Sequence, residues 1–222
     1  MSGLSLPLTS SEQDFLLGCA SASIRRGVEL PLPEAFAFLA GEGEPGARAL
    51  EDAGLAVQKQ APRLLTASGA FVTLHLVEND VHTLRGCIGL LEPVMPLALA
   101  VIRMAWAAAF EDRRFPPLRA EEVPLLKLDI SVLGALAPCT LEDIKLGRHG
   151  IRLEAMGRAA VFLPQVPTEQ GWNLSQTLEA LRRKAGLPPE AVTPAAFRAG
   201  SSRLFCYEAF LVGPCSVSYS AT

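Results

Sequence analysis

The sequence predicts an α+β protein. Strand-like stretches cluster along the chain instead of alternating strictly with helices, which favours this class. One stretch of helical length, VMPLALAVIRMAWAAAF, is almost entirely apolar. Half of the 222 residues are hydrophobic, so the chain can bury a sizeable core. This length favours one domain or two closely packed subdomains.

The first predicted helix lies in LTSSEQDFLLGCASASIRRGVEL. A capping box at its start can use Thr9 with Glu12 or Ser11 with Asp14, and Gly27 is expected to end it. A loop is expected at 40–47 and a short helix at 47–56; both rest on local composition alone.

A hairpin and a buried helix follow. Phe71 to Val77 forms the first arm of the hairpin and Val81 to Leu91 the second. In the apolar stretch quoted above, only Arg103 interrupts the run, so the helix should be buried on most sides. Trp106 on this helix is a candidate to press against the backbone of the second arm.

The later elements are another strand, a second hairpin, a helix and a closing strand. LLKLDISVL predicts a strand with every second residue on one face, and GIRLEAMGRAAVFLPQV a hairpin that turns near Met156 and Gly157. Asn173 and Gln176 form a capping box for LSQTLEALRRKA, which should stop at Gly186. LFCYEAFLV is the closing strand, and the tail at 213–222 is polar and expected to be loosely held.

Composition and charge exclude several classes of protein. The net charge is −3, with 20 basic and 23 acidic residues, which gives no electrostatic footprint for nucleic acid. No apolar run reaches transmembrane length without a charge, and MSGLSLPLTS lacks the regions of a signal peptide. Five cysteines without regular spacing do not indicate a disulfide framework. We therefore expect a cytoplasmic protein with reduced thiols and no membrane segment.

The hexapeptide LRGCIG at 84–89 presents two different faces. Alternation assigns one set of side chains to the core, namely Leu84, Gly86, Ile88 and Leu90. The other set forms a notch made by Arg85, Cys87 and Gly89. The absent side chain of Gly89 opens space beside the thiol, and a neighbouring guanidinium favours the reactive thiolate. On this interpretation Gly86→Val should overpack the core, whereas Arg85→Lys should change stability little.

Cys87 has two interpretations. It is either a candidate catalytic nucleophile or a packed, pocket-lining thiol, in which case Arg85 pairs with an acid such as Asp129. A nucleophile needs a base, and His75 on the partner arm is the candidate. A two-residue turn places Cys87 opposite Val72, away from His75. A three-residue turn, or a bulge at Gly86, places Cys87 and His75 on the same face.

No metal or phosphate site is indicated. The sequence has no CxxC or HExxH motif, and its histidines and cysteines near the hairpin are irregularly spaced. The glycines of LRGCIG do not link a strand to the start of a helix, so they do not form a phosphate loop. We therefore predict neither a metal nor a cofactor.

FVTLH followed by LRGCIG resembles the signature of the AMMECR domain family. The resemblance continues in order through AAFEDRRFPPL, LDISVL, GRHGIRLE, VFLPQV and GWNLSQTLEALRRKAGL. It covers about residues 10–212, so the chain is expected to be a single domain of this type over 1–222 with a polar tail at 213–222. Arg113 stands where many relatives have proline, and the Gly-rich stretch at 41–70 is longer than usual.

The resemblance implies a mixed or mainly antiparallel sheet with flanking helices and a smaller subdomain. It also implies a three-part set in which such a domain acts beside a Memo-type protein and a radical SAM protein. The leading hypothesis is an accessory protein that binds a small molecule or a partner protein through a pocket around Arg85, Cys87 and Gly89. Gly86 and His75 are further candidate binding residues of this pocket. The alternatives are a thiol-dependent enzyme that uses Cys87 and a nucleotide or nucleic-acid binding module.

Three further residues are candidates for binding. Asp112 and Arg114, with Phe115, either cap and seal the buried helix or line a cleft near the notch. Gln165 is interpreted as an amide in a stiff loop, where it either satisfies backbone groups or orients a ligand.

Overall fold

The computed structural model describes residue 4 and residues 6–29 and 59–217. They belong to two compact units. The first unit consists of Met1–Val132 and Phe210–Thr222, and the second of Leu133–Ala209. The expected loop at 40–47 and short helix at 47–56 lie outside the described residues. Within the described part, no helix is long and apolar enough to cross a membrane.

The first unit combines a sheet with two main helices, whose buried side chains share one core cluster with those of the sheet. Its elements are α1 (Ser10–Glu29), β1 (Ala70–Glu78), β2 (Val81–Leu90), α2 (Leu97–Phe110), a 3-10 helix at Ala120–Leu125, β3 (Leu126–Leu133) and the end of β7 (Ser202–Ser216). The strand order is β2-β1-β3-β7, and β1 runs antiparallel to both of its neighbours. The α+β prediction is therefore confirmed, and β2 lies at the edge of the sheet formed by the described strands.

The core of this unit lies between one face of the sheet and the helices. The predicted alternation in β3 is confirmed, because the side chains that should share a face are all buried: Leu126, Leu128, Ile130 and Val132. Ten of the fourteen residues of α2 are buried, as its apolar run predicts. Burying each large aliphatic side chain stabilises the fold by about 1.5–3 kcal/mol.

Helix α1 begins at the first of the two predicted capping boxes. The Thr9 backbone N–H donates to Glu12 Oε2 at 2.8 Å, and the Glu12 N–H donates to Thr9 Oγ1 at 3.3 Å. The expectation that Gly27 ends the helix is wrong, since α1 continues to Glu29. A Cβ atom at Gly27 would lie 2.3 Å from the ring of Phe110, so this glycine allows α1 and α2 to approach closely.

The second unit is a smaller sheet with short helices. Its elements are β4 (Ala137–Cys139), β5 (His149–Ala155), β6 (Arg158–Phe162), α3 (Gln165–Glu169), α4 (Leu174–Ala185), α5 (Pro194–Arg198) and the start of β7. Strand β5 pairs antiparallel with β6 on one side and with β7 on the other, and β4 also pairs with β7. Helix α4 packs against β5 and β6.

The hairpin turn, the capping box and the helix end predicted in this unit are confirmed. Met156 and Gly157 have positive φ of 52° and 71° at the turn between β5 and β6. Asn173 and Gln176 exchange hydrogen bonds of 2.9 Å at the start of α4, and Gly186 ends that helix in the left-handed region. The closing strand is longer than expected, because β7 continues to Ser216 and therefore includes the start of the predicted tail.

Candidate functional site

A β-bulge at Arg85 sets the register of the hairpin. The turn has two residues, Asn79 and Asp80, which both have positive φ as a tight hairpin turn requires. Between the Leu74↔Gly86 and His75↔Leu84 pairs the ladder shifts by one residue, so Arg85 has no partner on β1. Cys87 consequently lies opposite Thr73.

The bulge at Arg85 decides whether Cys87 and His75 lie on the same face of the sheet, which the sequence left open. A two-residue turn alone would separate Cys87 from His75, but the extra residue restores them to one face of the sheet. The side chains on the face opposite the core are Phe71, Thr73, His75, Cys87 and Gly89. The assignment of Leu84 to the core is wrong, because it lies before the bulge and is 37% exposed.

Arg85 is buried and bound by Glu122. Its Nε donates to Glu122 Oε1 at 2.8 Å and its Nη2 donates to Oε2 at 3.1 Å, a bidentate pair. The Arg85 side chain is 6% exposed, and its third nitrogen, Nη1, is buried without a hydrogen-bond partner among the described residues. The guanidinium carbon lies 5.9 Å from the centre of the Phe115 ring.

Arg85 pairs with an acid, as one of the two interpretations expected, but the acid is Glu122 and not Asp129, which the sequence offered as an example. Glu122 lies in the 3-10 helix before β3, where its Oε2 also accepts the Arg119 N–H at 2.9 Å. The hydrogen bond from Arg85 is the main reason that the pKa of Glu122 lies below its ordinary value. Asp129 instead lies 3.7 Å from His75 Nδ1, a distance too long for a hydrogen bond.

Asp112 and Arg114 cover the outer edge of β2. Asp112 Oδ2 accepts the backbone N–H of Cys87 at 2.9 Å, and Arg114 Nη2 donates to the Cys87 carbonyl at 3.3 Å. The two side chains thus take the place of a neighbouring strand at this residue. Arg114 also binds Asp112 through Nε at 2.9 Å and Nη2 at 2.6 Å. Hydrogen bonding from Arg114 lowers the pKa of Asp112 to about 2, although burial opposes the shift.

The Cys87 thiol is held in its neutral form. Burial is the largest influence and raises its pKa above the ordinary value. The Thr73 hydroxyl donates to the sulfur at 3.4 Å, and this bond and the charge of Arg114 oppose the rise only in part. Asp129 and Asp112 raise the pKa further through their charge. The thiolate that the sequence pattern suggested beside Arg85 is therefore not favoured.

The two glycines of the motif allow close contacts. A Cβ atom at Gly86 would lie 2.0 Å from the carbonyl oxygen of Ala108 in α2. The neighbour expected at this position was Trp106; the contact is made instead by the helix backbone. A Cβ atom at Gly89 would lie 2.1 Å from the ring of Phe71, the residue opposite on β1. The space expected beside the thiol is therefore occupied at this position by an aromatic ring.

The structure unites most of the predicted site residues in the first unit. Cys87, Asp112 and Arg114 are joined by hydrogen bonds, whereas Arg85, two residues earlier in β2, is bound to Glu122. Gln165 belongs to the second unit, where it begins helix α3 after Pro164 instead of lying in a loop. Among the described residues, no group of three or more His, Cys, Asp or Glu side chains is arranged to hold a metal ion.

Two residues of the site were not found by sequence reasoning. Glu122 is one of several acids before β3, and nothing in AEEVPL marks it as the partner of a residue 37 positions earlier. Thr73 alternates with buried residues in β1, so its face was predictable. Its contact with Cys87 was not predictable, because that contact depends on the bulge.

Fold and site together define the class of protein: a two-unit α+β protein whose first sheet ends in an edge strand held by two arginine–carboxylate pairs. A sequence model of the AMMECR1 family matches residues 45–209. The chain belongs to the AMMECR1 family, which confirms the resemblance found in its motifs.

Archaeal relatives give the same assignment. The chain is 39% identical over 149 residues to protein MK0488 of Methanopyrus kandleri, an alignment covering 63% of this chain and 71% of the relative. It is 41% identical over 129 residues to protein MJ0810 of Methanocaldococcus jannaschii, covering 55% and 63%. The crystal structure of uncharacterized protein PH0010 from Pyrococcus horikoshii matches with a TM-score of 0.69 and 29% identity over 91% of each chain.

Proposed function

We propose that this chain is an accessory protein that binds a small molecule or a partner protein through the surface around its LRGCIG motif. The single observation that carries the proposal is the buried Nη1 of Arg85, a charged donor without an acceptor in the described part of the chain. A buried donor left unsatisfied costs about 1–3 kcal/mol, and more when it is charged. An oxygen atom from a bound molecule would remove that cost.

The rest of the site favours binding over catalysis. Glu122 holds the guanidinium of Arg85 in a fixed orientation through two hydrogen bonds, so the third nitrogen is preorganised for an acceptor. Cys87 has a raised pKa, whereas a thiol nucleophile needs a lowered pKa or an adjacent base. His75 shares the face of Cys87, and its Nδ1 lies 3.7 Å from Oδ2 of Asp129. Neither the pKa of Cys87 nor the position of His75 supports the thiol-dependent enzyme.

The resemblance to the AMMECR family suggests the partners. In the proposed arrangement the chain acts beside a Memo-type protein and a radical SAM protein of the same organism. The exposed side chain of Arg114 and the edge strand it covers are the surface offered to them, because both lie at the margin of the first sheet.

An interaction measurement tests the partner form of the proposal. The purified chain is immobilised, and binding of the purified Memo-type and radical SAM proteins is followed by biolayer interferometry. Arg114→Ala should weaken binding of at least one of them by tenfold or more. Arg119→Ala is the matched control, since its side chain is 76% exposed and its nearest carboxylate contact, to Glu122, is 3.7 Å long. Equal effects of the two variants would reject this surface.

An NMR titration tests the small-molecule form. Guanidinium protons of a buried arginine exchange slowly, so those of Arg85 can be observed directly. Acetate and inorganic phosphate serve as simple oxygen-bearing probes, and the Nη1 resonance of Arg85 should shift with a saturable dependence on one of them. If neither probe moves that resonance and neither partner binds, the proposed function is wrong.

A further inference from the structure

The second unit brings two of the five free cysteines together on neighbouring strands. Strand β4 pairs with β7 so that Cys139 lies opposite Leu204 and Ala137 lies opposite Cys206. Because side chains alternate along a strand, Cys139 and Cys206 project from the same face of the sheet, on the diagonal between two cross-strand pairs. The irregular spacing of the cysteines in the sequence does not reveal this pair.

The face that carries the two cysteines is the one that covers the core of this unit. Leu204 is 5% exposed, and Ile151, the partner of Cys206 on β5, is fully buried. Both belong to the core cluster of the second unit, and Cys139 packs against the same cluster. Since each cysteine is half-buried, the pair lies at the margin of this core and not inside it.

The two thiols are in contact. Burial, and then a hydrogen bond with the Cys206 side chain, raise the pKa of Cys139 to about 12. The hydrogen bond has this effect because the Cys139 thiol is the donor and keeps its proton. Sulfur atoms in such contact come within reach of an S–S bond, which needs them about 2.05 Å apart, after rotation of the side chains.

A cavity gives small oxidants access to the pair. Cys139 lines a cavity of about 550 Å³, whose other lining residues include Leu141, Phe197 and Phe205. A water molecule takes up about 30 Å³ of the liquid, and hydrogen peroxide is only slightly larger. Hydrogen peroxide can therefore reach the Cys139 sulfur without unfolding of the second unit.

We infer that Cys139 and Cys206 form a peroxide-sensitive thiol pair that closes reversibly to a disulfide. In the first step one thiol, as its thiolate, attacks hydrogen peroxide. An S–O bond forms, the O–O bond breaks, and the products are a sulfenic acid and water. In the second step the other thiol attacks the sulfenic sulfur, so that the S–S bond forms, the S–O bond breaks and a second water leaves.

The electrons and protons of this reaction balance. The two sulfur atoms together lose two electrons, hydrogen peroxide gains them, and both thiol protons leave in the water. A small thiol such as glutathione reverses the reaction by thiol–disulfide exchange. Two glutathione molecules are then oxidised to one glutathione disulfide, and the protein regains its two thiols.

The disulfide would hold β4, a strand of only three residues, against β7. The segment after β4 supplies Leu141, Ile144 and Leu146, which pack against the core of the second unit. Closing the loop between Cys139 and Cys206 removes conformational freedom from the unfolded chain, so the oxidised form should be the more stable one. The pair couples the redox state to the stability of this unit, apart from the LRGCIG residues, which lie in the first unit.

Mass spectrometry of the folded, full-length chain tests the inference. The reduced protein is treated with hydrogen peroxide at about pH 8, where thiolates begin to form. Remaining thiols are blocked with N-ethylmaleimide, and the protein is digested without reduction. The expected product is a linked pair of peptides that contain Cys139 and Cys206, with the loss of two hydrogen atoms, and glutathione should separate them.

Thermal melts and hydrogen exchange give a second readout. The oxidised chain should melt higher than the reduced chain by roughly 5–15 °C. Amide exchange in β4 should also slow, because the disulfide restrains the strand next to its partner. An oxidised chain whose Tm equals that of the reduced chain would reject the coupling to stability.

Serine variants locate the effect. Cys206→Ser removes one sulfur of the pair, so hydrogen peroxide should neither link Cys139 nor raise the Tm. Cys215→Ser should keep both responses and is the matched control, because Cys215 is a half-buried cysteine of the same strand that belongs to the first unit. Should Cys206→Ser fail to fold, Cys139→Ser removes the other sulfur and takes its place.

Four outcomes would overturn the inference. They are the absence of any reaction at the two thiols, sulfinic acid on one of them without a link, a link that forms only in denaturant, and links to cysteines of the first unit in similar yield. The last outcome would show that the contact between the two strands does not direct the oxidation.

Discussion

Gly86 lies where a side chain of any size would collide with the carbonyl oxygen of Ala108. Because that atom belongs to a helix backbone packed in the core, it cannot move aside as a flexible side chain can. Gly86→Val should therefore destabilise the protein by about 1–3 kcal/mol or more. Denaturant melts would measure the change in the free energy of unfolding.

The control for this prediction is Gly18→Ala. Gly18 lies within α1, and no atom lies within 4 Å of the position its Cβ would take. Alanine in a helix interior is favoured over glycine by about 0.5–1 kcal/mol, so this variant should be more stable than the parent. If both substitutions changed the free energy of unfolding equally, the close approach of Gly86 to the backbone of α2 would be disproved.

Cys87 should react slowly with alkylating reagents at neutral pH. Burial raises the pKa of its thiol, and only the thiolate is nucleophilic. Modification by iodoacetamide, followed peptide by peptide with mass spectrometry, should increase only above about pH 8.5, the range of an ordinary thiol. Half-maximal reactivity of Cys87 well below that pH would instead support the thiol-dependent enzyme.

The contribution of Asp112 to stability should depend on pH. Its pKa is about 2 in the folded state against an ordinary value of 3.8, so the unfolded state binds the proton more tightly. The stabilisation is complete above about pH 4 and is lost as the pH falls through the folded-state pKa. Asp112→Asn should cost about 2 kcal/mol at neutral pH.

Melts of the parent and of Asp112→Asn between pH 2 and pH 7 would measure this effect. The two free energies of unfolding should approach each other as the pH falls from 4 to 2. A constant difference across that range would show that the carboxylate charge is not what holds the edge of β2.

At the scale of elements, the bulge in β2 is stabilised by the pair between Arg85 and Glu122. Considered from the sequence alone, Arg85→Lys should change stability little. The buried bidentate geometry changes that expectation, because a lysine cannot form two parallel hydrogen bonds with one carboxylate. We now expect Arg85→Lys to cost about 2 kcal/mol or more.

Chemical denaturation would measure this cost, with Arg119→Lys as the control on the more exposed neighbour of the same glutamate. The control should change stability by less than about 0.5 kcal/mol. An Arg85→Lys variant as stable as the parent would mean that the bulge does not depend on the two hydrogen bonds from the guanidinium to Glu122.

Most elements of the fold were predictable because their signals are local. The capping boxes at Thr9 and Asn173 and the stop at Gly186 depend on residues within one turn of each other. The site was only partly predictable. Its geometry depends on a bulge stabilised from 37 residues away and on a carbonyl of α2, and no short-range pattern encodes either contact.

At the scale of the whole molecule, we predict no specific binding to nucleic acid. Acidic residues outnumber basic ones, 23 to 20, and the longest run of basic residues, Arg182 to Lys184, is too short for the six to ten phosphate contacts of a typical binding protein. Affinity for RNA or DNA should stay in the non-specific range of roughly 10⁻⁴–10⁻⁶ M at physiological salt. Fluorescence anisotropy would detect a contrary result as sub-micromolar affinity with a steep salt dependence.

Strand β7 determines the order in which the molecule can be completed during synthesis. Its first residues pair with β5 in the second unit, and its last belong to the first unit, beside β3. The whole second unit, Leu133–Ala209, therefore leaves the ribosome before the first unit receives its fourth strand. Until then the edge of β3 is unpaired, and a chain released early would expose it to other nascent chains.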